Sequence, residues 1–165
     1  MTADTPRERR GRQLPTMDEL RIWRDFIETA EALRSTLASR LQSETSLSTG
    51  DYAVLLALSE APDRRLRSSD LAAGIGWERS RLSHHLARME RRGLIRREEC
   101  ASDSRGAEVV LAPDGAESFR AATVPHLRAV RELFVDALTA EQLTAAADLA
   151  AALRTRLAAS RRLSE

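Results

Sequence analysis

From Glu78 onward, Leu82, Leu86 and Met89 recur at i, i+4 and i+7, which on a helix makes one apolar stripe. The same geometry turns Ser80, Arg81, His84, Arg88 and Arg91 to the opposite side, where the pattern offers them nothing to pack against. Gly93 stops the helix, Leu94 to Arg97 reads as a strand and Val109 to Leu111 as its partner. The polar stretch between them, Ala101 to Ala107, carries Asp103 and Arg105 at a hairpin tip. A guanidinium is planar, permanently charged and rich in donors, so its chemistry is the binding of phosphate and guanine. A basic helix beside a long basic hairpin tip suits a DNA duplex.

The charges agree once they are divided along the chain. The formal net charge of the 165 residues is only +1, but residues 64–105 hold 11 Arg against 6 acids, a local excess of +5. The remainder is an acidic scaffold. No Lys is present, so every cation is a guanidinium, a bias that a GC-rich genome also produces. With 3 His, 1 Cys and 7 scattered Gly, the chain shows no nucleophile with a base, paired catalytic carboxylates or phosphate-binding glycine loop. An enzyme is therefore not expected, and neither is a cofactor. His84 and His85 diverge by about 100° on a helix, unlike a metal-binding i, i+4 pair, so no metal site is expected. The lone Cys100 excludes an internal disulfide and a Cys-based zinc site, and its neighbours Glu98 and Glu99 oppose thiolate formation. No apolar run approaches the roughly 18 residues of a membrane helix. The first residues, with Arg7, Arg9, Arg10 and Arg12 and no apolar core, do not read as a signal peptide, so a cytoplasmic location is expected.

The elements that must position these groups follow from periodicity and punctuation. Leu20, Trp23, Ile27, Ala30, Leu33, Leu37 and Leu41 repeat at three and four as one long helix. Ser48 with Asp51 resembles a capping box opening a short helix through Tyr52, Leu55, Leu56 and Leu58, closed by Ala61-Pro62-Asp63. Ser68 or Ser69 is expected to cap the next helix, which buries Leu71, Ala72 and Ile75 and stops at Gly76, a tight turn before the Arg-rich helix. After the hairpin, Pro113-Asp114-Gly115 starts a helix running through Phe119, Ala122, Leu127, Val130, Phe134 and Leu138, which Pro125 should kink. Thr139 caps a last helix with an Ala-rich stripe.

The expected fold is mainly α with a small β-wing: a winged helix-turn-helix domain plus a helical dimerisation region. Residues 1–16 read as a flexible basic arm, 17–47 as a dimerisation helix, 48–112 as the winged domain, 113–160 as further dimerisation helices and 161–165 as a tail. The terminal helices carry more apolar face than the middle can cover, so a second copy of the chain is the natural cover.

These features together resemble the MarR family of bacterial winged-helix transcriptional regulators, over roughly residues 17–160. That family's recognition helix, Gly-Leu-Val/Ile, Arg, Asp-x-Arg, apolar strand, Leu-Thr and Gly appear here as Gly93-Leu94-Ile95, Arg97, Asp103-Ser104-Arg105, Val109-Val110-Leu111, Ala112 and Gly115. Ala112 stands where Thr is usual, which loses a helix cap rather than a DNA contact, with Asp114 or the Pro113 start as substitute. The resemblance implies Arg105 in the minor groove at the wing tip, Asp103 orienting its guanidinium, and Ser83 and His84 at base edges. Many members have Arg at the position of His84, so their base preference does not transfer. His85 joins His84 among the DNA-contact candidates, the alternative for both being polar surface near a phosphate.

The resemblance also implies an effector cleft between the dimer helices and the winged domain. Trp23, Phe26, Tyr52 and His126 lie on the segments that line it, each with core packing as the plain alternative. The resulting expectation is a homodimeric regulator, a repressor, that binds double-stranded DNA at a pseudo-palindromic operator and is released by a small anionic or aromatic effector. The alternative is a non-enzymatic helical adaptor that uses the winged helix for protein contacts and lacks salt-dependent duplex binding.

Overall fold

Side-chain caps fix where several helices begin. In a computed structural model that describes residues 14–99 and 107–162, helix α1 (Met17–Glu44) starts from a reciprocal pair in which the Thr16 N–H donates to Glu19 Oε2 at 2.8 Å and the Glu19 N–H to Thr16 Oγ1 at 3.2 Å. Helix α2 (Thr49–Glu60) starts from the expected box, Ser48 N–H to Asp51 Oδ2 at 2.9 Å and Asp51 N–H to Ser48 Oγ at 3.1 Å. The last helix, α6 (Ala140–Arg162), repeats the device with Thr139 and Gln142. Each box satisfies two backbone donors that would otherwise lack partners. Residues 1–13 and the hairpin tip with Cys100, Asp103 and Arg105 lie outside the described residues.

Helix α3 (Ser68–Ile75) differs from expectation. Arg67 is its N-cap and makes no capping side-chain bond, while the Ser68 hydroxyl donates to the Ala107 carbonyl at 3.0 Å. Ser68 is drawn away because Arg65–Arg67 forms strand β1, an element absent from the sequence expectation. At three residues it is too short to show a period of two. With β2 (Ile95–Glu99) and β3 (Ala107–Leu111) it makes an antiparallel sheet of order β1-β3-β2, with Leu66 opposite Val109 and Ile95 opposite Leu111. Arg65 reaches acids on both other strands, 3.3 Å from Glu108 on β3 and 3.6 Å from Glu98 on β2.

Gly76, at φ 68°, closes α3 and leads into helix α4 (Arg79–Arg91). The stripe of Leu82, Leu86 and Met89 is buried, as the spacing requires, and packs in one cluster with Leu55, Leu71, Ile95 and Val109. Burying each such side chain contributes about 1.5–3 kcal/mol.

Helix α5 (Pro113–Val130) begins at Ala112 with no side-chain cap and with Pro113 in its first turn, where proline's missing N–H costs nothing. It runs as a single helix through Pro125, and the departure from α geometry comes later, as a π turn over Arg131–Val135. The residues separate into two compact units, 1–36 and 37–165, the boundary falling inside α1.

Gly115 explains itself at the junction of α5 with the sheet. The Leu94 carbonyl accepts the Ala112 N–H at 3.2 Å, and a Cβ at position 115 would collide with that same oxygen. Gly115→Ala is therefore expected to destabilise the fold by about 1–3 kcal/mol. A lower urea midpoint at unchanged m-value is the signature, and an unshifted midpoint would show that the backbone yields freely here.

Candidate nucleic-acid interface

On α4 the structure separates the predicted residues into two sets. Ser80, Arg81, Ser83, His84, Arg88 and Arg91 are exposed. Among the described residues, Arg81, Arg88 and Arg91 have no carboxylate in ion-pair range. Other arginines nearby are committed. Arg97 binds Glu90 at 2.6 Å and donates its backbone N–H to the same carboxylate, while Arg92 reaches Asp51 and the Ser46 carbonyl, each at 2.7 Å. The three guanidiniums without a carboxylate partner thus share one exposed helix face.

His85 belongs to the other set. Grouped from sequence with the surface residues, it is 8% exposed and packed into the domain. The signal was present: position 85 falls between Leu82 and Met89 on the apolar stripe, three residues after the first. The ring stands at 90° to Trp77, centroids 5.1 Å apart, and the Arg81 guanidinium lies over the Trp77 ring, 4.3 Å from its centroid. Stacking occupies the plane of Arg81 and leaves its in-plane N–H donors for a ligand. Gly50 is what admits this cluster, because a Cβ there would come within 2.8 Å of both the imidazole and the indole.

Beneath the face lies a charged group that the sequence suggested only as a helix cap. Asp51 is 2% exposed. Its Oδ2 accepts from Ser48 and from Arg92, and its Oδ1 lies 3.0 Å from His85 Nε2, off the line of a good hydrogen bond, so that contact is mainly electrostatic. Burial alone would push the carboxyl up, but the contacts from His85, Ser48 and Arg92 outweigh it and hold Asp51 well below the usual carboxylate range.

The predicted effector residues are only partly brought together. Tyr52 packs against His126 (centroids 4.6 Å apart) and Phe119 (5.1 Å). Burial pushes the His126 imidazole below its ordinary value, and its Nδ1 has no hydrogen-bond partner among the described residues. Trp23 and Phe26 lie in the other unit, 60% and 43% exposed. A half-open cavity of about 270 Å³ lies on the Phe119 side of α5, lined by Ser59, Arg64, Leu111, Ala116 and Arg120 besides Phe119, and includes none of the four predicted residues.

Comparison with known proteins follows the same outline. A model of the MarR family matches residues 45–106. The transcriptional regulator HosA of Escherichia coli O157:H7 is 37% identical over 91 residues, 55% of this chain and 65% of HosA, so the match spans just under two thirds of that curated relative. AbsC, a MarR family transcriptional regulator from Streptomyces coelicolor, superposes with a TM-score of 0.83 at 36% identity, covering 90% of this chain and 99% of AbsC. Sco3205, a MarR family regulator of the same organism solved in complex with DNA, gives 0.82 at 37% identity, covering 87% of this chain and 90% of that one.

The buried carboxylate generates a stability prediction. Asp51→Asn leaves Arg92 without its countercharge and His85 Nε2 without its carboxylate neighbour, and is expected to cost about 2–4 kcal/mol. A depressed carboxylate stabilises the fold fully above its ordinary value of 3.8 and loses that contribution as pH falls toward its lowered one. The gap between wild type and variant in urea titrations should therefore be widest near neutrality and close in acid. A gap independent of pH would mean that the carboxylate charge is not what matters.

Proposed function

The chain belongs to the MarR family of transcriptional regulators, and from that premise we propose that it is a DNA-binding repressor acting as a homodimer on a pseudo-palindromic operator. The exposed face of α4 carries this reading, since Arg81, Arg88 and Arg91 have no carboxylate partner among the described residues while arginines around them do. Buried leucines anchor the opposite side of the helix, so the face is held rigidly, as insertion into a major groove needs. Arg88 and Arg91 serve phosphates, whereas Arg81, Ser80, Ser83 and His84 lie toward the start of the helix and serve base edges or nearby phosphates. His85 supports the face from below. The wing residues Asp103 and Arg105 complete the interface through the minor groove.

The homodimer is supported by apolar groups that the terminal helices leave in solvent: Val124 and Leu127 on α5, and Leu149, Leu153 and Leu157 on α6, between 44% and 61% exposed. Exposed large apolar groups repeating along long helices mark an association surface. For a ligand that releases DNA, the support is the Tyr52–His126 cluster, where an imidazole nitrogen is buried without a partner among the described residues. A carboxylate or phenol on a small aromatic molecule would satisfy it. For Trp23 and Phe26 the support is the family resemblance of the sequence.

Arg91→Ala should weaken operator and unrelated duplex alike and reduce the slope of log affinity against log salt by about one. Arg105→Ala should lose about 1–3 kcal/mol of DNA affinity, more at A·T-rich flanks than at G·C-rich ones, with the fold intact. Footprinting should show two half-sites about one helical turn apart. Duplex binding insensitive to salt and to both substitutions would instead favour an adaptor that uses the winged helix for protein contacts.

Ligand release is tested separately. A panel of aromatic carboxylates titrated with and without operator should reveal a compound that weakens DNA binding about 5- to 150-fold, with DNA weakening its binding by the same factor. His126→Ala and Trp23→Ala should keep DNA affinity and lose the response. If both variants respond like wild type, the site lies elsewhere.

A further inference from the structure

Arg88 has one hydrogen-bond partner among the described residues, and it is not a carboxylate. Its Nη2 lies 3.0 Å from His85 Nδ1, one helical turn away. A guanidinium can only donate, so Nδ1 must present a lone pair, and the ring proton therefore sits on Nε2. That sets the protonated Nε2 3.0 Å from Oδ1 of the buried Asp51 carboxylate, off the line of a good hydrogen bond but within reach of the negative charge that favours a proton there. Turning the ring over would set carbon against both the carboxylate and the guanidinium. Gly50 on one side and the Trp77 edge on the other leave little room for such rotation.

We propose that His85 is a positioning residue for DNA recognition: Asp51 fixes its Nε2–H tautomer, and the Nδ1 lone pair so exposed holds the Arg88 guanidinium at the DNA-facing surface. This rests on the reading that α4 meets DNA. The gain is preorganisation. A free arginine side chain loses considerable rotamer freedom when it grips a phosphate, whereas one already tethered through a single N–H loses less and keeps its other donors for the ligand. His85 thus contributes to binding from a buried position without touching DNA.

The test is a double-mutant cycle on operator binding by the full-length protein, with chemical unfolding used to score each variant's fold. Arg88→Ala is expected to weaken binding about 10-fold and His85→Phe, which keeps a flat ring beside Trp77, about 3- to 5-fold. The double variant should be no weaker than Arg88→Ala alone, because the second change removes support for a group already absent. Asn and Gln separate the two ring nitrogens. His85→Asn places an acceptor near the Nδ1 position and should restore most of the affinity, while His85→Gln extends toward Asp51 and should not. Long-range proton–nitrogen correlation spectra of the free protein should show His85 as the Nε2–H tautomer, and Asp51→Asn should weaken that preference.

Additive losses in the cycle would overturn the inference and leave the DNA-binding reading of Arg88 intact. An Arg88→Ala variant that binds like wild type would overturn both. An Nδ1–H tautomer overturns the inference on its own, since it leaves Arg88 no acceptor. If His85→Phe fails to fold, the contrast between the Asn and Gln variants decides the matter, equal affinities counting against the role.

Discussion

The winged domain depends on one buried carboxylate joining two helices through three side chains. Asp51 closes the capping box of α2, receives the Arg92 guanidinium from the end of α4, and faces the His85 ring from the middle of the same helix. A carboxylate this far from water is tolerable only when its lone pairs are occupied and its charge is balanced. Here both conditions are met by groups on the recognition helix, so the position of that helix and the start of α2 are set by the same interaction. The apolar stripe of Leu82, Leu86 and Met89 would allow α4 to slide or roll by small amounts, because hydrophobic burial is not directional. The Arg92 ion pair with that carboxylate is directional and, together with the His85 ring set against its other oxygen, removes that freedom.

The same allocation decides which arginines are available. The basic stretch looks uniform when charges are counted, but the fold spends Arg92 on Asp51, Arg97 on Glu90 and Arg65 on Glu98 and Glu108. Among the described residues Arg81, Arg88 and Arg91, on the exposed side of α4, are not spent in this way. Surface pairs such as Arg65 with its two acids contribute little stability singly, yet they withdraw cations from the sheet face and so sharpen the contrast with the helix.

Much of this was legible in the chain. The helix and strand order, the Gly76 and Gly93 stops, the Ser48–Asp51 box and the exposed arginine face follow from periodicity and turn chemistry, because each rests on residues within a few positions of one another. What escaped depends on groups distant in sequence. Strand β1 exists because Arg65–Arg67 finds β3 more than forty residues later, and Ser68 abandons its capping role for the same strand. His85 was misplaced because its type argued for surface while its position argued for the core, and position decided. The Gly of the wing pattern could be recognised without its reason, which lies in the Leu94 carbonyl. The wing tip that bears Asp103 and Arg105 remains an inference from sequence.

Adjacent residues at the start of α2 connect the two ends of the domain. Asp51 turns toward the recognition helix and Tyr52, about 100° further round, packs on Phe119 and His126 of α5. Consecutive positions on one rigid turn cannot move independently, so any displacement of the Tyr52 ring by a molecule seated at His126 is transmitted as a rotation or shift of the whole turn that holds Asp51. Transmission alone is not regulation. A ligand changes DNA affinity only if the turn has a second arrangement, one in which Asp51 no longer serves His85 and Arg92 equally well and which the ligand prefers. The buried charge makes that second arrangement costly, because it would leave a carboxylate and two cationic or polar partners imperfectly matched away from water. Under the proposed ligand release, this arrangement would answer only a ligand of sufficient differential affinity and stay closed to weak or accidental ones.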